Sequence, residues 1–327
     1  MNVYESRALY RKIIRDFFGS RDYLEIDTPI LVKTPGTETY LRYFKTKYEG
    51  FTPEQNENMW LRSSPEIHMK IALASGLSKI FQIAPCFRNH GEVSEWHRPE
   101  FTMIEWYETE MELNKLIEQT EDLVKHCSQV LTNKKLSQTL VGNFTKISVF
   151  EVFKQLFGFE LIDLDEELPK KLEKTGMESI TANDDFESAF FKALLEKIEP
   201  HLAHLNFAIL YDYPPSQAAL SVVKNGAAKR FEMYIKGIEI CNGFEELLDP
   251  QENILRFAEA SAKRVSMGYE TQNLDDNFVH AMEMLHSKNV PISGNALGFE
   301  RVFAVLLGKN DIYSQSNFSN YFGSTIF

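Results

Sequence analysis

Residues 87–107, FRNHGEVSEWHRPEFTMIEWY, constrain this chain most, because this short run combines two arginines, two histidines and four carboxylates with several large aromatic residues. Apolar residues precede and follow a polar middle, a pattern that predicts two antiparallel strands around a loop. Such a hairpin can close over a polyphosphate. Arg88 offers a planar, permanently charged fork to a phosphate oxygen, His97 a second donor, and Phe101 a flat face to a purine. A charged surface hairpin is the alternative interpretation.

The composition limits the class of protein. A chain of 327 residues with 43% hydrophobic and 25% charged residues is typical of a globular protein with a sizeable core. Its net charge of −12 argues against a broad nucleic-acid-binding face. The three cysteines, Cys86, Cys127 and Cys241, share no metal-ligand spacing and indicate a reducing cytoplasm. The chain has neither a signal-peptide core nor a run of about 18 apolar residues, so we expect neither export nor a membrane span.

The first part of the chain predicts a helix, a short strand and a second helix. Apolar residues recur at helical spacing over 6–18, and residues 23–29 alternate as a strand that ends on a proline, either as a subunit contact or as a plain packing unit. A further strand at 60–64 runs into a helix with Pro65 in its first turn. Glu66 lies where a helix N-terminus accepts a carboxylate, or it recognises a substrate ammonium.

A second hairpin is predicted at residues 230–249. Strands at 231–235 and 238–242 flank a Lys-Gly turn, so that Tyr234 lies opposite Glu239 and Glu232 shares their face. Two carboxylates on one face are tolerated when a divalent cation bound to phosphates lies between them. A polar sheet surface is the alternative.

Strict alternation puts Asn242, Phe244 and Glu246 on the other face of this hairpin. We therefore expect a β-bulge at Asn242-Gly243 that turns these side chains back. Near the end of the chain, residues 293–301 form a small-residue strand that leads into an apolar helix, with Arg301 at the junction. Residues 134–205 are mostly helical by pattern and carry no recognisable chemistry, so they are interpreted as an insertion.

Together these segments resemble the three signature motifs of class II aminoacyl-tRNA synthetases. The helix and strand that end at Pro29 are similar to motif 1, residues 87–107 to motif 2, and residues 294–301 to motif 3. The phrases PEFTMIEWY and GIEICNGFEEL resemble the lysyl branch. Because no anticodon-binding OB-fold domain is expected here, the resemblance is closest to the free-standing elongation factor P–(R)-β-lysine ligase family. Ala296 stands where lysyl-tRNA synthetases usually have glycine, which favours that family.

The resemblance implies an α+β fold: a class II synthetase catalytic domain over residues 1–327, with an antiparallel β-sheet flanked by helices and a mostly helical insertion at about 134–205. It also implies roles for individual residues. Arg88 and Arg301 are the expected catalytic residues, and Glu232 and Glu239 are the expected magnesium ligands. ATP is expected at Arg88, Asn89, His90, His97, Arg98, Phe101, Glu239, Ile240, Gly298 and Arg301, with the adenine between Phe101 and Arg301. The amino acid is expected at Ser64, Pro65, Glu66, Glu105, Tyr107, Asn242, Phe244, Glu246 and Ala296.

One departure from the family pattern lies in motif 2. The family has Phe-Arg-Asn-Glu where this chain has Phe-Arg-Asn-His, and the loop that follows is one residue longer. Either Glu92 takes over the role of the missing acid, or His90 contacts the adenine.

The implied activity is that of an ATP-dependent ligase. It activates lysine or (R)-β-lysine as an aminoacyl-adenylate with ATP and Mg²⁺, and it transfers the aminoacyl group to a lysine side chain of elongation factor P. The resemblance also implies a cytoplasmic homodimer that does not act on tRNA. A truncated lysyl-tRNA synthetase and a non-catalytic regulatory paralogue are the alternatives.

Overall fold

The computed structural model describes residues 2–36, 38–90, 94–137, 141–181 and 183–315. Glu92 therefore lies outside the described residues. In chain order, the strands are β1 (Leu24–Glu25), β2 (Leu31–Val32), β3 (Lys45–Tyr48), β4 (Glu57–Leu61), β5 (Lys79–Phe87), β6 (Glu100–Thr109), β7 (Thr145–Ser148), β8 (Phe207–Tyr213), β9 (Val223–Lys224), β10 (Ala227–Ile235), β11 (Ile238–Glu245) and β12 (Ile292–Gly298). The helices are α1 (Val3–Gly19), α2 (Glu66–Ala74), α3 (Leu113–Asn133), α4 (Val149–Phe157), α5 (Leu168–Glu173), α6 (Phe186–Ala193), α7 (Glu199–His204), α8 (Pro250–Ser266), α9 (Asp276–Ser287) and α10 (Phe299–Leu306).

The chain divides into two compact units. Unit 1 comprises Met1–Leu140 and Glu246–Phe327, and unit 2 comprises Val141–Glu245. Helices α4 to α7 and strand β7 fall within the region that was predicted as a mostly helical insertion. That this region is inserted into a single catalytic domain stays a prediction.

Unit 1 is built on a sheet with the strand order β1-β5-β6-β12. Strand β1 runs parallel to β5, and the other neighbours are antiparallel. The two antiparallel strands predicted before and after the polar loop are confirmed as β5 and β6, which pair from Lys79 opposite Glu108 to Phe87 opposite Glu100. The helix predicted over 6–18 is confirmed as α1, which begins with a capping box: Asn2 accepts from the Glu5 amide at 2.9 Å, and Glu5 accepts from the Asn2 amide.

The two faces of this sheet differ in what covers them, because residues opposite each other on antiparallel strands point to the same side. On one face, the Phe81 and Trp106 rings lie 4.7 and 5.3 Å from the ring of Phe18 in α1, so the helix covers this side. The other side, which we call the small-residue face, is defined by glycine and alanine on β12 and by their β6 partners: Gly294, Ala296, Gly298, Tyr107, Glu105 and Met103. The side chains that β12 contributes to this face are therefore small.

A buried arginine holds the chain that follows β1. The Arg62 side chain is 1% exposed and donates to Thr28 O at 2.9 Å, to Pro29 O at 3.1 Å and to Pro85 O at 3.0 Å. The strand predicted over 23–29 is thus confirmed only for the two residues of β1. The later carbonyls bind Arg62 instead of a neighbouring strand.

Unit 2 contains a sheet with the order β11-β10-β8-β7, and the short β9 pairs with β10. Its core joins α4, α6 and α7 to this sheet through Phe153, Phe190 and Leu202 on the helices and through Ala208 and Leu210 on β8. The helices therefore cover the part of the sheet next to β7 and β8.

The predicted β10–β11 hairpin is confirmed. Its turn residues Lys236 and Gly237 have φ angles of +52° and +79°, and Tyr234 lies opposite Glu239 as the sequence predicted. The predicted position of the bulge is wrong. Met233 pairs with Cys241, so the extra residue is Ile240 and not part of Asn242-Gly243. A two-residue turn fixes the register only as far as Glu239, and the extra residue follows directly.

The displaced bulge still produces the expected facing of side chains. Beyond Ile240, Asn242 pairs with Glu232 and Phe244 pairs with Arg230, so all four lie on the face that also carries Glu239.

Within the described part of the chain, no helix is long and apolar enough to cross a lipid bilayer.

We predict that Arg62→Met lowers the free energy of unfolding by about 2–3 kcal/mol, because buried carbonyls lose their donor. Urea denaturation measures this change. The control is Arg15→Met, which removes an ion pair to Glu25 whose side chains are 49% and 37% exposed, and which should cost less than about 1 kcal/mol. Equal losses in the two variants contradict the anchoring role of Arg62.

Candidate active site

Three carboxyl groups and one lysine meet beside the small-residue face. We call this group the acidic cluster: Glu66, Lys70, Glu105 and Glu246. Lys70 belongs to α2, and its Nζ lies 2.6 Å from Glu66 Oε1 and 2.5 Å from Glu246 Oε2. The Lys70 side chain is buried, as are Glu246 and Glu105. Both carboxylate oxygens of Glu246 are also buried and accept no hydrogen bond from the described residues, although Oε2 forms the ion pair with Lys70.

Glu105 projects from β6 between two hydroxyl groups. Ser64, just before α2, donates to its Oε1 at 2.7 Å, and the Tyr107 hydroxyl donates to its Oε2 at 3.4 Å. Ser64 Oγ in turn accepts from the Glu66 amide at 3.0 Å, which ties the start of α2 to the cluster. The structure therefore brings together five of the residues predicted to bind the amino acid: Ser64, Glu66, Glu105, Tyr107 and Glu246.

The electrostatics of the cluster favour an additional cation. Burial raises the pKa of Glu105 to about 8, although the hydrogen bond from Ser64 opposes the rise. Burial likewise raises the pKa of Glu246 to about 7, against the attraction of Lys70. The pKa of Lys70 is raised because Glu246 and Glu66 together outweigh its own burial. One ammonium thus faces three carboxyl groups, and a second cation would favour the ionised form of the remaining acids.

Gly294 allows the aromatic ring of Tyr107 to lie close to the backbone of β12. A Cβ atom at this position would lie 2.2 Å from two ring carbons of Tyr107 and 2.9 Å from Glu246 Oε1. Any side chain here would push Tyr107 or Glu246 away. Ala296, the next residue on this face, pairs with Glu105 and adds only a methyl group beside it.

A second group of predicted residues lies where β5 ends and β6 begins. The Arg88 guanidinium carbon lies 5.1 Å from the centroid of the Phe101 ring. Arg88 Nε is buried and donates to none of the described residues. A buried donor next to a flat ring is suited to an anion that carries an aromatic base. Asn89 and His90 follow directly, and His90 has a left-handed φ of +56°.

Arg301, in the first turn of α10, contacts the segment before β6. Its Nη2 lies 2.6 Å from His97 Nε2, and its Nε donates to Trp96 O at 3.3 Å. Because a guanidinium only donates, His97 Nε2 must accept. The proton of the neutral ring is then on Nδ1, which lies 2.8 Å from Ser94 Oγ. The predicted adenine site between Phe101 and Arg301 stays a prediction.

The residue before Arg301 was not predicted from the sequence. Glu300 is buried and accepts from the Thr102 amide at 2.9 Å, from Arg98 at 3.3 Å and from Arg7 of α1. It therefore joins α1, β6 and α10. Arg98, which was predicted near the outer phosphates, has this carboxylate as a partner. Gly298 supplies the N-cap of α10, and Pro65 supplies that of α2.

In unit 2, the predicted metal ligand Glu232 has three donors. The hydroxyls of Tyr213 and Tyr234 both donate to Oε2 at 2.6 Å, and Arg230 donates to Oε1 at 2.5 Å. Arg230 also donates from Nε to Asn242 Oδ1 at 3.1 Å, which fixes the orientation of that amide. The described residues contain no group of three or more His, Cys, Asp or Glu side chains arranged to hold a metal.

Four partners in these groups were missed from the sequence: Lys70, Glu300, Arg230 and Tyr213. Lys70 and Glu66 are spaced as an i, i+4 pair on a helix, which was an available signal. Nothing in local spacing pointed to Glu300, whose partners are far away in the chain.

Comparison with known sequences defines the class. The family model for class II tRNA synthetases of the D, K and N type matches residues 1–321. This match spans both units and agrees with the antiparallel strands and flanking helices described above, so the predicted fold class is confirmed.

Curated relatives narrow the family. Proteins named elongation factor P–(R)-β-lysine ligase are similar to this chain in Hamiltonella defensa (33% identity, covering 93% of this chain and 90% of the relative), in Pasteurella multocida (33%, 94% and 92%) and in Vibrio cholerae (33%, 94% and 92%). The chain therefore belongs to the elongation factor P–(R)-β-lysine ligase family of class II synthetases. The predicted family and the prediction of a ligase are confirmed.

We predict that Glu105 makes stability depend on pH. Burial raises its pKa from 4.5 to about 8, so between these values the folded chain keeps a proton that the unfolded chain has lost. The free energy of unfolding then falls as the pH rises through this window. Urea midpoints at pH 5, 6.5 and 8 should fall less steeply in Glu105→Gln than in the wild type. Glu100→Gln, at an exposed position on the same strand, controls for the substitution, and an unchanged slope in Glu105→Gln refutes the prediction.

Gly294→Ala is expected to destabilise the fold by about 1–3 kcal/mol, because the added methyl group collides with Tyr107. The matched control is Gly19→Ala, since a Cβ at the end of α1 meets no atom within 4 Å. Urea denaturation compares the two variants. If Gly294→Ala is as stable as Gly19→Ala, the close packing of Tyr107 on β12 does not contribute to the stability of the fold.

Proposed function

We propose that this protein activates lysine or (R)-β-lysine with ATP as an aminoacyl-adenylate and transfers the aminoacyl group to a lysine side chain of elongation factor P. The observation that carries the proposal is the buried acidic cluster, in which Glu246 Oε1 lacks a hydrogen-bond partner among the described residues. A buried carboxylate oxygen without a donor is costly. The distal ammonium of a diamino acid supplies that donor together with the missing positive charge.

The pocket assignment follows from the same contacts. Glu246 and Glu105 are the counter-ions of the substrate, and the Tyr107 hydroxyl adds a polar contact next to Glu105. Ser64 and Glu66 border the cluster at the start of α2. We also assign Pro65 and Ala296 to this pocket. In unit 2, Asn242 and Phe244 lie on one face of β11, and their predicted contact with the amino acid stays a prediction.

We assign ATP to the ends of β5 and β6 and to the start of α10. Arg88 and Arg301 are the catalytic residues, and Phe101 is the stacking partner of the adenine. The same assignment includes Asn89, His90, His97, Arg98 and Gly298. The roles predicted for Glu239 and Ile240 of unit 2 in ATP binding stay predictions. Because Arg301 makes hydrogen bonds to His97 and Trp96, stacking on an adenine requires these contacts to rearrange.

The chemistry needs no nucleophile from the protein. In the first step an oxygen of the substrate carboxylate attacks the α-phosphorus of ATP, a new P–O bond forms, and pyrophosphate leaves. In the second step the lysine amine of the acceptor attacks the activated carbonyl carbon, AMP leaves, and the amine loses a proton. The contribution of the protein is positioning and charge stabilisation, for which the buried Arg88 donor is suited.

We assign Mg²⁺ to Glu239 and Glu232, and the residues present are compatible with it. Magnesium in nucleotide sites is held by one or two carboxylates together with phosphates, so a larger cluster of acids is not required. A carboxylate has about four lone-pair sites, and the three donors to Glu232 leave one of them, at Oε1. The ion would neutralise phosphate charge.

The acceptor is proposed from the names of the relatives, which are elongation factor P–(R)-β-lysine ligases. The net charge of −12 disfavours tRNA as the acceptor. A homodimer formed through α1 in the cytoplasm is part of the same proposal, and light scattering measures the oligomeric state.

The decisive experiment is amino-acid-dependent ATP–pyrophosphate exchange by the purified protein with (R)-β-lysine, (S)-β-lysine, α-lysine and norleucine. We expect exchange with a lysine and none with norleucine, which lacks the distal ammonium. Glu246→Gln should reduce this exchange at least about 100-fold while ATP still binds in a calorimetric titration, because a buried ammonium loses its charged partner. Unchanged activation by Glu246→Gln refutes the pocket assignment.

A second stage identifies the acceptor. The activated amino acid, in labelled form, is offered to elongation factor P and to bulk tRNA in parallel. Label on elongation factor P supports the proposal, whereas label on tRNA supports a truncated lysyl-tRNA synthetase. Absence of exchange with every amino acid in the first stage refutes the catalytic proposal and favours a regulatory paralogue.

A further inference from the structure

The acidic cluster already contains a cation of the protein. Lys70 lies between Glu66 Oε1 and Glu246 Oε2, at 2.6 and 2.5 Å, and its side chain is 2% exposed. Its Nζ also lies 6.0 Å from the centroid of the Tyr107 ring. Lysine is among the residues that are least often fully buried, and a buried ion pair adds little to stability compared with apolar packing. The position of Lys70 therefore calls for a role other than stability.

The two oxygens of Glu246 have different surroundings. Oε2 lies 2.5 Å from Lys70 Nζ, whereas Oε1 lies on the side of Gly294 and Tyr107, and neither oxygen has a hydrogen-bond partner among the described residues. Lys70 thus holds one oxygen of the carboxylate and leaves the other for a donor from outside the chain. A lysine at this distance also opposes the protonation of Glu246 that burial promotes.

We propose that Lys70 is a specificity-determining positioning residue. It favours the ionised form of the Glu246 carboxylate and leaves its Oε1 to the distal ammonium of the diamino acid. This inference rests on the proposed function for its substrate, but its electrostatic part concerns the protein without ligand. Lys70 acts through Glu246 and need not touch the substrate.

The other charged groups around Lys70 set the direction of each expected effect. Glu66 and Glu246 contact Lys70, and the Tyr107 hydroxyl joins this cluster to Glu105. Glu66 disfavours a second negative charge on Glu246, whereas Lys70 favours it. Around Glu105, Arg62 favours the ionised form, and Glu38 disfavours it. Removal of Lys70 and removal of Glu66 should therefore shift the titration of Glu246 in opposite directions.

The kinetic test measures the KM for lysine or β-lysine and for ATP, together with kcat, between pH 6 and 9. In Lys70→Met the KM for the diamino acid should rise about tenfold at pH 7 and approach the wild-type value near pH 9, because at pH 7 fewer molecules carry ionised Glu246. Lys70→Arg, which keeps the charge, should retain the wild-type pH profile. Glu66→Gln should shift the acidic limb of the profile to lower pH. A purely structural lysine predicts a loss that does not depend on pH, and that result overturns the proposal.

A ligand-free measurement separates this inference from the proposed function. Without Lys70, folded Glu246 holds its proton to a higher pH, so the free energy of unfolding should fall more steeply between pH 6 and 8 in Lys70→Met than in the wild type. The double variant Lys70→Met/Glu246→Gln should lose this added slope. An equal slope in Lys70→Met and the wild type refutes the role of Lys70 even if exchange activity is found.

The added slope without any exchange activity supports the electrostatic role of Lys70 and refutes the proposed function. If Lys70→Met does not fold, the same slope is compared in Glu66→Gln, where the smaller repulsion on Glu246 should make it shallower than in the wild type. An unchanged slope there also refutes the proposal.

Discussion

The ion pair between Lys70 and Glu246 joins two segments that are far apart in the chain. Lys70 belongs to α2, and Glu246 begins the second stretch of unit 1, where its amide donates to Ile292 O at the start of β12. Helix α2, strand β6 and strand β12 therefore meet around one buried lysine. The packing of these three elements buries Glu105 and Glu246, and this burial raises the pKa of both carboxyl groups.

The small-residue face gives this cluster its place. One side of the unit 1 sheet packs against α1, and the other carries the small residues Gly294, Ala296 and Gly298, with the Tyr107 ring next to Gly294. At the far end of the same strand, the buried Glu300 ties α10 to β6 and so holds the neighbouring Arg301 at the ATP end of our proposal. The packed face provides rigidity, and on the opposite face Gly294 allows the Tyr107 ring to lie close to β12.

Unit 2 shows how one extra residue can organise a strand. Glu239 precedes the bulge at Ile240 in the sequence, and Asn242 and Phe244 follow it. Because of the extra residue, all three side chains lie on the same face of the sheet. Arg230 then orients the Asn242 amide and neutralises Glu232, which the tyrosine hydroxyls also bind. The carboxylate predicted as a metal ligand is therefore already part of a hydrogen-bonded network within its own unit.

Local patterns in the sequence determined the two hairpins, helix α1, the register at Tyr234 and Glu239, and the family, because alternation, turn residues and motif spacing act over short stretches. They also singled out Glu66, Glu105, Tyr107 and Glu246 as one pocket, through the resemblance. Only the tertiary structure decided the length of β1, the position of the bulge, the pairing of Lys70 with Glu246 and the partners of Glu300. Each of these depends on which groups long-range packing buries together, and a buried charge takes its partner from space and not from the neighbouring sequence.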